Sequence, residues 1–180
     1  MKVTPLSIPD ILLIEPKVFK DNRGFFFESF NQNKFEETVG REIHFVQDNH
    51  SESTKGVLRG LHYQASPGAQ DKLVRVVQGK VLDVAVDIRE NSSTFGQYVS
   101  HILSSHNKKQ LWIPKGFAHG FLTLSNSAQV LYKVTDYYNP DLERCIVWND
   151  ISLSISWPSD LPIYLSKKDQ QGMSLLDANL

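Results

Sequence analysis

Hydrophobic and polar positions alternate along most of the chain in short runs. The three-to-four-residue recurrence of long amphipathic helices is largely missing. Val, Leu, Ile and aromatic residues gather in segments 45–49, 56–64, 72–77, 80–88, 98–103, 110–114, 119–124, 129–137 and 145–148. Turn residues stand between them: Pro67-Gly68, Gln78-Gly79, Asn91-Ser92-Ser93, Asn107, Ser125-Asn126 and Asn139-Pro140. Many short strands at this spacing predict an all-β sandwich or barrel and argue against alternating βαβ units. One helix is expected over 33–39, with Asn33 as its cap, Glu36 three residues on and Gly40 as its stop. A second short helix is expected on the outside, within the polar stretch 166–176. No repeat, low-complexity tract or linker divides the sequence, so one domain over 1–180 is expected.

Alternation also sorts residues by face. Lys72 shares a face with Val74 and Val76, an apolar setting for a charge. His62 has the parity of Leu58, Gly60 and Gln64, whereas Arg59 has the opposite parity. A plain strand would therefore aim Arg59 and His62 apart. Gly60 could host a bulge that re-aims one of them, or the two could serve different surfaces.

Composition narrows the chemistry. The 180 residues include 41% hydrophobic and 22% charged positions, with a net charge of −1. No global basic field points to nucleic acid or a membrane surface. Any anionic ligand must be held by local Arg and Lys. Cys145 is the single cysteine, so there is no disulfide framework, in keeping with a reducing compartment. The N-terminal Met1-Lys2-Val3-Thr4-Pro5 lacks a signal-peptide run, and no apolar stretch reaches membrane-spanning length. A cytoplasmic location is expected.

The segment Gly56-Val57-Leu58-Arg59-Gly60-Leu61-His62-Tyr63-Gln64 sets a group that titrates near neutrality beside an anion anchor. Tyr132 offers a proton donor from another strand, and Lys72 a cation for a developing oxyanion. Asp83, Asp87 or Asp169 could orient a histidine by accepting its second N–H. Three phenylalanines beside Arg23, among them Phe26, are either core and edge or a stacking platform next to a phosphate anchor. Gln47, Asp48 and Asn49 add groups able to read a base or sugar. Cys145 has no visible base partner and reads as packing.

His62 also fits the first ligand of a cupin metal signature, and Pro114-x-Gly116-x-x-His119 matches its second half. Gln64 stands at the next ligand position, however, and Pro67-Gly68-Ala69-Gln70 fills the place of the expected glutamate. Two histidines without a thiolate or carboxylate at ligand spacing make a poor metal site. Neither metal nor cofactor is expected.

The blocks Arg23-Gly24-Phe25-Phe26-Phe27-Glu28, 45–51, 56–64, Lys72-Leu73-Val74-Arg75, Trp112-Ile113-Pro114, 116–121 and Tyr132-Lys133 occur in order. They make the chain resemble the dTDP-4-dehydrorhamnose 3,5-epimerases, a metal-free cupin family, from Phe19 to about Trp157. The resemblance implies a cupin-type jelly roll with a few short peripheral helices. It implies epimerisation at C3 and C5 of dTDP-4-dehydro-6-deoxy-D-glucose through an enolate. It makes His62 the base, Tyr132 the acid, Lys72 the enolate stabiliser and Asp169 the partner of His62. Arg23, Phe26, Glu28, Gln47, Asp48, Asn49 and Arg59 would contact the nucleotide and diphosphate. His119, Tyr138, Glu143 and Lys168 would complete the binding residues. A homodimer is implied, with the N-terminal segment reaching the partner's site. Departures fall at Ser66-Pro67-Gly68, Tyr98 and Cys145, none of them a proton-transfer position. Competing readings are a single-site epimerase on another dTDP-4-keto sugar, a non-enzymatic sugar-nucleotide binding module and a metal-dependent cupin.

Overall fold

The computed structural model describes residues 1–178. Thirteen strands and two helices follow in the order β1 Lys2–Pro5, β2 Leu12–Glu15, β3 Phe19–Asp21, β4 Gly24–Phe26, α1 Gln32–Val39, β5 Gln47–Thr54, β6 Leu58–Gln64, β7 Lys72–Gln78, β8 Lys80–Asp87, β9 Tyr98–Ser104, β10 Gln110–Ile113, β11 Phe117–Thr123, β12 Ser127–Val134, β13 Glu143–Cys145 and α2 Lys167–Gln170. They build a six-stranded sheet, β1-β2-β10-β7-β12-β5, facing a five-stranded sheet, β13-β6-β11-β8-β9. A separate ribbon pairs β3 with β4. This is the all-β sandwich that the strand pattern predicts, and the jelly-roll class that the resemblance implies.

Alternation makes the core. Val74, Val76, Leu111, Ile113 and Val130 of one sheet meet Val81, Ala85, Leu103 and Phe121 of the other. The outer faces are covered as well. Leu73 and Trp112 point out of the six-stranded sheet onto Phe35 of α1, where the Phe35 and Trp112 rings meet edge-on at 5.1 Å. Such a pair adds about 0.5–1.5 kcal/mol beyond burial. Ile155, Trp157 and Leu175 of the C-terminal segment cover Val84 and Val86 on the other side.

The expected boundaries shift at three places. The α1 cap is Asn31, whose side chain accepts from Lys34 N at 3.2 Å. Asn33 lies inside the helix, because Glu36 is drawn elsewhere: its carboxylate accepts from Ile43 N at 2.9 Å. Gly40 ends the helix as expected, with φ of 77°. Strand β5 continues to Thr54 through Gln47-Asp48-Asn49-His50-Ser51-Glu52-Ser53-Thr54, which has no apolar alternation. It is a strand because it pairs with β12 along its whole length, Gln47↔Val134 to Thr54↔Ser127. The last expected strand is found at Glu143–Cys145, paired with β6.

Candidate active site

The Arg59–His62 conflict resolves at a bulge. His62 pairs with His119 on β11, and Arg59 pairs with Phe121. Three steps on β6 thus span two on β11, so one residue is extra. The extra step reverses the parity between Arg59 and His62, and both line one cavity of about 270 Å³ between the sheets. No second subunit is needed to unite them. Gly60 makes the turn possible. Its φ is +133°, and a Cβ there would lie 2.6 Å from Gly120 Cα and 2.9 Å from the His119 carbonyl oxygen. Gly60→Ala is therefore expected to cost about 2 kcal/mol or more, from φ strain plus a backbone clash, read as a lower midpoint in urea. Activity should fall with it.

His62 stands at the cavity wall with its ring fixed from behind. Its Nε2 lies 2.5 Å from Asp169 Oδ1. An ionised carboxylate only accepts, so Nε2 carries a proton, and in the neutral imidazole Nδ1 is the nitrogen with the lone pair. Asp169 is buried and held in turn by Ser166, whose hydroxyl donates to Oδ2 at 2.7 Å and accepts from Asp169 N at 3.1 Å. Burial would raise the Asp169 carboxyl. The hydrogen bonds from His62 and Ser166 outweigh it and hold the group below its usual value. Of the three aspartates that could orient a histidine, Asp169 takes His62. Asp83 takes His119 Nε2 at 2.9 and 3.0 Å. Asp87 serves Arg89, Ser92 and Thr94.

The facing wall supplies Tyr132 from β12 and Lys72 from β7. Lys72 is buried below Val74 and Val76, and its Nζ donates to the His62 carbonyl at 3.3 Å. Burial pushes this amine down to about 8, offset in part by the charges of Asp83 and Glu143. Burial raises the Tyr132 phenol above its usual value, with Arg59 countering. Tyr132 therefore stays protonated at neutral pH and keeps a proton to give.

Gln47, Asn49 and Arg59 line the same cavity, with His119, Tyr138 and Glu143. The Tyr138 hydroxyl donates to Glu143 at 2.5 Å, and Lys168 forms an ion pair with Glu143. Burial would raise Glu143, but these partners, Lys168 first, hold it low. Lys168 therefore reaches the site through Glu143 and does not line the cavity itself. Asp48 is one residue out of phase with Gln47 and Asn49, so it leaves the outer face of β5 and pairs with Lys133 at 2.9 Å. Arg23 and Phe26 lie on the exposed β3–β4 ribbon, where Arg23 folds onto Asp21 at 2.6 Å. Glu28 pairs with Lys34. The chain's own cavity thus does not gather Arg23, Phe26, Glu28 or Asp48.

Two contributors escaped the sequence reading. Gln64, at the lost cupin ligand position, is buried and accepts from Asn139 N at 2.7 Å while donating to the Tyr137 carbonyl at 3.2 Å. It fixes the loop that carries Tyr138. Ser166 was legible as a Ser-x-x-Asp cap signal ahead of Asp169. An open cleft of about 740 Å³ adjoins the site beyond Lys72 and Gln64. Arg89 on its wall is already taken by Asp87 and Asp10.

A carboxylate-backed imidazole and a protonated phenol on opposite walls of a jelly roll, with a buried cation beside them, define a class: an isomerase that moves protons without redox change. The comparisons narrow the class. A family model described as dTDP-4-dehydrorhamnose 3,5-epimerase matches residues 5–177, and the chain belongs to that family. It is 60% identical over 180 residues to the dTDP-4-dehydrorhamnose 3,5-epimerase of Pseudomonas aeruginosa, covering 99% of this chain and 98% of the relative. The structure of dTDP-6-deoxy-D-glucose-3,5-epimerase RmlC from Legionella pneumophila, in complex with dTDP-4-keto-L-rhamnose, is similar with a TM-score of 0.96 at 52% identity, covering 99% of this chain and 94% of that one. ChmJ, a 3'-monoepimerase from Streptomyces bikiniensis in complex with dTDP-quinovose, shares the fold at a TM-score of 0.91 and 32% identity, covering 96% and 87%.

Proposed function

We propose that the chain epimerises C3 and C5 of dTDP-4-dehydro-6-deoxy-D-glucose, giving dTDP-4-dehydro-L-rhamnose. The observation that carries this reading is the pairing of His62, backed by Asp169, with Tyr132 across one cavity that also receives Lys72. The C4 ketone acidifies the hydrogens on C3 and C5, because the resulting anion spreads onto oxygen. His62 Nδ1 takes the proton from one face. Lys72 stabilises the enolate oxygen, which is worth on the order of 10²–10³ in rate by analogy with other oxyanion sites. Tyr132 returns a proton to the opposite face and inverts the centre. Arg59, Gln47 and Asn49 bind the nucleotide diphosphate, Arg59 as the anion anchor. Glu143, paired with Lys168, and Tyr138 close the far wall, and His119 lines the sugar end.

The second reading is a single-site epimerase on another dTDP-4-keto sugar, favoured by the similarity to ChmJ. Turnover in deuterated water separates the two. Deuterium at both C3 and C5 of the product supports the double epimerase, whereas deuterium at one carbon only would overturn it in favour of the second reading.

The residues left outside the cavity fit a homodimer. The β3–β4 ribbon projects Phe19, Phe25 and Phe26, the last 68% exposed, and such apolar exposure marks a contact surface. In the proposed dimer the ribbon brings Arg23 and Phe26, followed by Glu28, to the partner's cavity. Arg23→Ala and His62→Ala homodimers should each be weak. Mixing and reassembling them should restore part of the activity, because one hybrid site carries both native residues. Absence of rescue in confirmed hybrids would count against the exchange. Among the described residues no helix is long and apolar enough to cross a membrane. We place the enzyme in the cytoplasm, as one domain.

A further inference from the structure

Among the described residues, one group of three metal-ligating side chains converges. Single ligand atoms of His62, Cys145 and Asp169 all lie within 4.8 Å of one another. The local fold brings them there. Cys145 stands directly opposite His62 in the β13–β6 ladder, so the two side chains leave the same face as neighbours. Asp169 arrives from α2 with Oδ2 held by Ser166 and Oδ1 against His62 Nε2. Thiolate, imidazole and carboxylate together suit a thiophilic divalent cation such as Zn²⁺, with three protein ligands and a fourth position open. Only His62 is shared with the cupin half-motifs, since neither Gln64 nor His119 takes part. Zinc bonds of about 2.0–2.3 Å hold tetrahedral donors roughly 3.3–3.6 Å apart, so the 2.5 Å His62–Asp169 contact must open by about 1 Å and separations of up to 4.8 Å must close by about as much.

We propose that His62, Cys145 and Asp169 form an inhibitory zinc site in which Zn²⁺ replaces the proton between His62 and Asp169. The inhibition rests on the epimerase reading, and its mechanism is a tautomer shift. With Zn²⁺ on Nε2, the single proton of the neutral imidazole shifts to Nδ1 and the thiol proton is the one released. Nδ1 then has no lone pair for the substrate, and the base is lost while the fold is kept. Charge also balances. One dication meets one thiolate and one carboxylate, leaving the half-buried site neutral. Without metal, burial and then the Asp169 charge push the Cys145 thiol up to about 12, so it stays protonated and leaves His62 undisturbed. Its existing bond is weak, Sγ to the Ile146 carbonyl at 3.5 Å. A dication reverses that preference and releases the thiol proton. Mg²⁺ prefers oxygen ligands and should not compete.

The test titrates the full-length protein with Co²⁺ as a spectroscopic probe, then with Zn²⁺, and separately assays turnover. One Co²⁺ per chain should bind with a thiolate-to-metal charge-transfer band, and Zn²⁺ should displace it. Affinity should rise about ten-fold per pH unit, one proton being released. Epimerase activity should fall with zinc occupancy and return with chelator. Cys145→Ser should keep basal turnover, lose the band and weaken zinc inhibition by at least about ten-fold. Absence of the band, equal zinc inhibition of Cys145→Ser, or equal inhibition by Mg²⁺ would each overturn the site. The band is read without substrate, so the two proposals fail separately. A protein that shows the band but epimerises nothing keeps the zinc site and loses the function. An active epimerase without the band does the reverse.

Discussion

Replacing His62 by alanine is expected to abolish solvent exchange at both C3 and C5 and to lower kcat/KM by about 10²–10⁴, the usual contribution of a positioned proton-transfer group. Both carbons are lost together because the cavity's two carboxylate-backed imidazoles differ in access, and His62 is the more exposed of them. His119 is the other imidazole there, and it is buried with Nε2 turned to Asp83. The variant should fold, since His62 is only partly buried and its strand is held by β11 and β13 on both sides. An unchanged thermal midpoint would separate lost chemistry from lost structure. Exchange persisting in folded His62→Ala would remove His62 from the base role. Tyr132→Phe gives the complementary result. The phenyl ring keeps the wall but has no proton to give, so His62 can still remove and return a proton on one face. Solvent deuterium should enter without inversion, and epimerised product should fall while exchange continues. A variant that lost both together would instead make Tyr132 part of deprotonation.

How much of this site can be read from the chain varies with the physics of each position. The strand core was legible because period-two burial leaves its mark in sequence, and Lys72 below Val74 and Val76 was visible for the same reason. The bulge was half legible. Gly60 announced a departure, but which way the strand would slip depends on His119 and Gly120 across the ladder. Only the start of strand β5 is legible in the sequence, because its polar residues owe their extended form to pairing with β12. The choice among Asp83, Asp87 and Asp169 was open because a strand pattern fixes faces, whereas α2 reaches His62 only through tertiary folding of the C-terminal segment. The four N-terminal strands are short, and two form a ribbon that lies on neither sheet. No local alternation could reveal them.

Lys72→Met should make the protein more stable and much less active. Wild-type burial holds this amine at about 8, well under its ordinary 10.5. At 1.36 kcal/mol per unit, keeping the ammonium in the fold at neutral pH costs up to roughly 3 kcal/mol. Methionine fills the space under Val74 and Val76 without that cost, so the thermal midpoint should rise by several degrees. The sign can be checked by pH. Between about 8 and 10.5 the unfolded chain binds the proton that the native chain has released, so wild-type stability should rise with pH across that window. The variant should lack this rise, and its advantage should shrink as pH approaches 10.5. Activity runs the other way. Without a cation at the enolate oxygen, kcat should fall by about 10²–10³. In the wild type, kcat/KM should decline above pH 8 as free-enzyme Lys72 loses its proton. A variant as active as wild type would show that the buried charge has no catalytic use. A variant less stable than wild type would show that the ammonium makes contacts stronger than its desolvation. Stability and turnover thus pull this one residue in opposite directions, because the group that best stabilises a developing oxyanion is the group the apolar interior tolerates least.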